Sequence, residues 1–85
     1  MNTSEKMLDI WQNIFKQDVS PDTDFFEDLG GDSMAAASIA HWIKIVYGVH
    51  VPMVEVFELP TPASLTELVD RMLAEVNSTS DARSR

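Results

Sequence analysis

Residues 25–34 read Phe25-Phe26-Glu27-Asp28-Leu29-Gly30-Gly31-Asp32-Ser33-Met34. This stretch sets a serine directly after two glycines and an aspartate, where an apolar helical period begins. Asp32 is a good N-cap, so Ser33 falls in the first turn of the helix. The glycines permit backbone conformations that other residues resist and leave the hydroxyl free of bulky neighbours. A helix start presents unpaired N–H groups and partial positive charge, which favour phosphate nearby. Taken alone, Gly30-Gly31-Asp32-Ser33 reads as merely a turn and an N-cap; the wider context reverses that reading.

Working outward, the helix opened by Asp32 runs from Ser33 to about Tyr47 and stops at Gly48, a suitable C′ residue. Its buried stripe is Ala36, Ile39, Ala40, Ile43 and Tyr47, with Val46 beside it. The segment from Gln17 to Asp32 has no regular period, yet Val19, Phe25, Phe26 and Leu29 are too apolar for a free linker. At least two of them are expected to dock into the core. Upstream, a helix from about Glu5 to Lys16 has Ser4 as candidate N-cap. Leu8, Trp11 and Phe15 form its stripe, with Met7 and Ile14 alongside. Downstream, a very short helix fits between Pro52 and Pro60, roughly Val54 to Phe57. Thr61 and Pro62 then cap and open a last helix carrying Leu65, Leu68, Val69, Met72 and Val76.

The pattern predicts an all-α fold, a four-helix bundle of three longer helices and one short third helix. A long loop joins the first two. Phe26, Leu29, Ile43, Phe57 and Leu68 are expected in its core. Residues 1–76 form the domain, and 77–85 are read as a flexible polar tail.

Composition narrows the function. With 85 residues the chain is one domain with a modest core, unsuited to a deep private active site. Cysteine is absent, which excludes disulfides, thiolate zinc sites and cysteine nucleophiles. His41 and His50 lack the partners a metal site needs, so none is expected. His41 lies about 11 Å of helix rise beyond Ser33, too far for a nucleophile–base pair. The formal charge of -8 argues against nucleic acid as a partner. No apolar run spans a bilayer and no basic stretch precedes one near Met1, so the expected setting is the cytoplasm, without membrane.

Three motifs, in order, carry a family resemblance. The first is the aromatic pair Phe25-Phe26, then Glu27-Asp28, Leu29-Gly30-Gly31, Asp32 and Ser33. The second is Tyr47-Gly48-Val49-His50-Val51-Pro52, closing the helix. The third is Phe57-Glu58-Leu59-Pro60-Thr61. From about Leu8 to Val76 the chain resembles the phosphopantetheine-dependent carrier proteins, above all the peptidyl carriers of nonribosomal peptide synthesis. The resemblance implies an acyl-carrier-like bundle and a covalent 4'-phosphopantetheine on Ser33, donated from coenzyme A by a phosphopantetheinyl transferase. Gly30, Gly31, Asp32 and Met34 are the motif around it. The thiol of the arm, not a side chain, then holds aminoacyl, peptidyl or acyl groups as thioesters, so the domain is not itself an enzyme. Implied partners are an adenylation enzyme or acyltransferase and condensation, tailoring or thioesterase enzymes, met by a monomer.

Asp32 stands where many peptidyl carriers have His and acyl carriers have Asp. Gly30-Gly31 and Phe25-Phe26 favour the peptidyl branch, and Ser33–Tyr47 lacks the acidic residues usual in fatty-acid carriers. Acyl carriers of polyketide or fatty-acid synthesis stay the alternative, as does an unmodified helical interaction domain. The chain reads equally as a free-standing carrier or as one domain of a larger synthetase. Met34, Ala37, Ser38, His41 and Ile45 recur on the face turned from the core stripe. With Met53 and Val54 they make the candidate partner surface. Trp42 sits at the edge of either the core or that surface. Asp22, Asp24, Glu27 and Asp28 form an acidic run in the loop.

Overall fold

A computed structural model describes the backbone of residues 2–83 and the side chains of residues 2–76. The element order is α1 (Thr3–Phe15), α2 (Ser33–Tyr47), α3 (Met53–Glu58) and α4 (Pro62–Arg83). α1 packs against α2 and α4, and α3 packs against α2. This is the expected four-helix bundle with its long first loop.

Local chemistry explains most boundaries. Asp32 caps α2 by accepting the Ala35 N–H at 3.0 Å, and Gly48 ends it in the left-handed region at φ 75°. Thr61 Oγ1 accepts the Ser64 N–H at the start of α4. α1 begins earlier than expected. Asn2, not Ser4, is its cap: the Asn2 side chain accepts from the Glu5 N–H, and Glu5 accepts the Asn2 N–H. This reciprocal pair satisfies two donors, which Ser4 with no acid three residues on cannot match. α1 ends at Phe15, and Lys16 takes the left-handed cap position at φ 60°. α3 is one residue longer at each end than expected, because Pro52 accepts the Glu55 N–H and the Leu59 N–H closes back on Glu55.

The backbone of α4 stays helical to Arg83, past Val76 where its end was expected. No Gly or Pro interrupts residues 77–83. The side chains of the expected tail, and residues 84–85 altogether, lie outside the described residues.

The core gathers Met7, Ile10 and Trp11 of α1, Ala36, Ile39 and Ile43 of α2, Val56 of α3, and Leu65 and Val69 of α4. Val19 and Phe25 plug it from the loop, while Val49 and Val51 plug it from the α2–α3 link. Leu29, Phe57 and Leu68 pack partly buried against it. Phe26 does not join it and is 45 % exposed. Residues 24–29 form a helical turn in which Asp24 accepts the Phe26 and Glu27 N–H groups and Asp28 accepts the Asp24 N–H. Neighbours in such a turn point about 100° apart, so one ring of the pair enters the core and the other cannot.

Phe25 is the hub. Its ring meets Trp11 (6.0 Å), Phe15 (5.9 Å), Phe26 (5.0 Å) and Phe57 (6.0 Å), each steeply inclined. Edge-to-face aromatic pairs add about 0.5–1.5 kcal/mol each beyond area burial. The cluster joins α1, the loop and α3. Hydrogen bonds stitch the loop down further: Phe25 N–H to Pro60 O (2.7 Å), Ala63 N–H to Pro21 O (3.0 Å) and Gln12 Nε2 to Val19 O (3.3 Å).

Candidate functional site

The loop delivers Ser33 through two glycines with different tasks. Gly30 has φ 60°, the left-handed region, with open space where a Cβ would sit. Gly31 lies under Phe25: a Cβ built there would fall 2.4 Å from the ring. The Gly31 N–H donates to Phe25 O at 2.8 Å and the Gly30 N–H to Phe26 O at 3.1 Å. The chain therefore reverses tightly over the buried ring and enters α2 at a fixed place.

Ser33 is the first residue of α2 and is exposed. Asp32 takes the Ala35 N–H with its side chain and the Ala36 N–H with its carbonyl. The Ser33 and Met34 N–H groups take no acceptor among the described residues. An exposed hydroxyl next to two free helix-start donors suits a phosphodiester. No bulky side chain follows Gly30 or Gly31 to block it.

The remaining candidates fall around this point. Met34 is 79 % exposed. Ala37 and His41 are exposed and Ser38 is half-buried. Met53 and Val54, both exposed, open α3 where it packs against α2. Phe26, Trp42 and Val46 are exposed apolar residues that the sequence reading did not assign to the partner surface. Phe26 stacks on Phe57 at 5.8 Å. Trp42 is 46 % exposed, its ring edge-on to His41 at 6.0 Å, and Val46 is exposed beside it. Asp24 as a cap would have revealed Phe26, since a capped turn cannot bury two successive rings. Among the described residues, no helix is long and apolar enough to cross a membrane.

Fold and site together define a small helical domain that displays one serine at a helix start. The family model described as "Phosphopantetheine attachment site" matches residues 5–69, and the chain belongs to this family, which carries 4'-phosphopantetheine covalently. It is 34 % identical over 67 residues to bacitracin synthase 3 of Bacillus licheniformis, covering 79 % of this chain and 1 % of that protein. It is 32 % identical over 75 residues to the polyketide synthase-nonribosomal peptide synthetase ffsA of Aspergillus flavipes, covering 81 % of this chain and 2 % of that one. Erythronolide synthase EryA2 of Saccharopolyspora erythraea matches at 40 % over 58 residues, 67 % of this chain and 2 % of the synthase. The chain thus spans a small fraction of each of these relatives. The fold matches the solution structure of a docking-domain complex of the Pax nonribosomal peptide synthetase, PaxA T1-CDD/PaxB NDD. There the TM-score is 0.77 at 24 % identity, over 98 % of this chain and 83 % of that one. The chain is accordingly a phosphopantetheine carrier domain similar to those within nonribosomal peptide and polyketide synthetases, and the family is non-catalytic in general.

Proposed function

We propose that Ser33 is the residue that bears the phosphopantetheine arm, and that the chain serves nonribosomal peptide or hybrid peptide–polyketide assembly. The supporting observation is the exposed Ser33 at the α2 start, with the Ser33 and Met34 N–H groups free to take phosphate oxygens. When attached, the arm supplies a thiol that takes aminoacyl, peptidyl or acyl groups as thioesters. The chain's own part is to hold the attachment point rigid, by the Phe25–Gly31 contact and the Asp32 cap, and to offer apolar side chains beside it. Met34, Ala37, Ser38, His41, Met53 and Val54 are the surface that partner enzymes read. Those partners are a phosphopantetheinyl transferase, an adenylation enzyme or acyltransferase, and condensation, tailoring or thioesterase enzymes. Residues 1–76 act as the carrier unit, with 77–85 as a polar tail outside it. The cytoplasm is the working compartment, and the chain acts as a monomer.

The runner-up is an acyl carrier of polyketide synthesis. Asp32 and the 40 % identity to erythronolide synthase EryA2 favour it. Loading separates the two. After modification with coenzyme A, the chain is offered to a panel of adenylation enzymes with amino acids and of acyltransferases with acyl-coenzyme A donors. Aminoacylation above acylation supports the peptidyl reading, and the reverse order overturns it.

A further inference from the structure

Between α1 and α2 the bundle carries a second surface. An open groove of ≈ 680 Å³ runs between α1 and α2. Ile10 and Ile14 line it from α1, and Ser38, Trp42 and Val46 from α2, so the groove borders the proposed partner face at Ser38. Trp42 follows Ser33 by nine residues, half a revolution around α2 and about 13 Å along it. A molecule in this groove leaves Ser33 uncovered.

Charge narrows the occupant. The chain carries -8 overall, with only three lysines. Two of them, Lys6 and Lys16, line the groove, against one carboxylate, Asp9. Two positive side chains and one negative leave +1 locally on an otherwise acidic molecule. An apolar strip flanked by Lys6 within α1 and Lys16 just past its end suits a helix laid along it. Such a helix carries apolar side chains on one face and carboxylates beside them.

We propose that the α1–α2 groove docks a short amphipathic, acidic helix of a partner protein, holding the carrier while Ser33 stays open to enzymes. Complementary charge at the groove rim sets its sign preference, and the Trp42 and Val46 side chains anchor it.

Two synthetic helical peptides with the same apolar stripe, one flanked by Glu and the other by Lys, test this against the isotopically labelled chain by NMR. The Glu peptide should shift the Trp42 indole and the Ile14 and Val46 signals, leave the Ser33 and Met34 amides unmoved, and weaken as salt rises. The Lys peptide should leave the groove unshifted. Trp42→Ala should weaken the Glu peptide about tenfold. The double variant Lys6→Glu/Lys16→Glu, checked for unchanged helicity, should reverse the preference whether or not Trp42→Ala folds. The proposal is overturned by no binding, by equal binding of both peptides, by shifts centred on Ser33, or by sedimentation showing that the chain closes the groove with a second copy of itself.

Discussion

A methyl group on Gly31 would sit 2.4 Å from the fully buried ring of Phe25. Gly31 lies two residues before Ser33, so the core's aromatic hub and the display of the serine share one contact. The ring cannot yield without disturbing Trp11, Phe15 and Phe57 around it.

Gly31→Ala should therefore destabilise the chain by about 1–3 kcal/mol, the usual range for overpacking a filled core. Thermal unfolding measures it. Gly30→Ala, where space is open but φ is 60°, should show backbone strain of about 1–2 kcal/mol and no repacking of the aromatic signals.

The aromatic pair should split. Phe25→Ala removes the hub and should cost about 3–5 kcal/mol, much of a total of about 5–15 kcal/mol. Phe26→Ala loses a half-exposed ring stacked on Phe57 and should cost about 1 kcal/mol. Denaturant midpoints of the two variants decide. Equal losses would contradict the inward and outward assignments.

That split marks where the sequence was readable and where it was not. The α2 limits follow from Asp32 and Gly48, and the α4 start from Thr61-Pro62, because caps are local chemistry. Periodicity correctly placed Ala36, Ile39, Ile43, Leu65 and Val69 inside. Phe26 was misplaced because hydrophobicity alone does not give direction in a non-periodic loop; the Asp24 cap does. Ile10 of α1 was overlooked beside Trp11, and the exposure of Trp42 depends on how far α1 stands from α2. The run around Ser33 that we propose as the attachment motif stood out in the sequence as a short ordered stretch. No motif marks the α1–α2 groove, because it exists only once two helices pack.

Tyr47 ties the end of α2 to the start of α1: its hydroxyl donates to Thr3 O at 2.7 Å. Burial first, then the Asp70 and Asp9 carboxylates, push its phenol well above the ordinary value. The unfolded chain ionises Tyr near pH 10. Folded Tyr47 is raised above that, so its contribution is complete below pH 10 and is lost as pH climbs past it. Stability should fall in that alkaline window. Tyr47→Phe should flatten the fall while costing about 1 kcal/mol at neutral pH through the lost hydrogen bond. An unchanged alkaline slope in the variant would contradict this.

Met34 projects from α2 with little support from the core. Met34→Glu should leave the unfolding free energy within about 0.5 kcal/mol of the parent. It should slow loading or transfer with cognate enzymes, because a charge enters an apolar contact. Those rates in the parent should change little with salt. A steep salt dependence would assign recognition to the acidic run at Asp22–Asp28 instead.

The central claim is that Ser33 accepts the arm. Intact mass after incubation with coenzyme A and a broad-range phosphopantetheinyl transferase tests it most directly, with the parent and Ser33→Ala side by side. The parent should gain the mass of a single phosphopantetheine, and the equally helical Ser33→Ala chain should gain none. A parent that stays unmodified, or a Ser33→Ala chain that still takes the arm, would contradict the assignment.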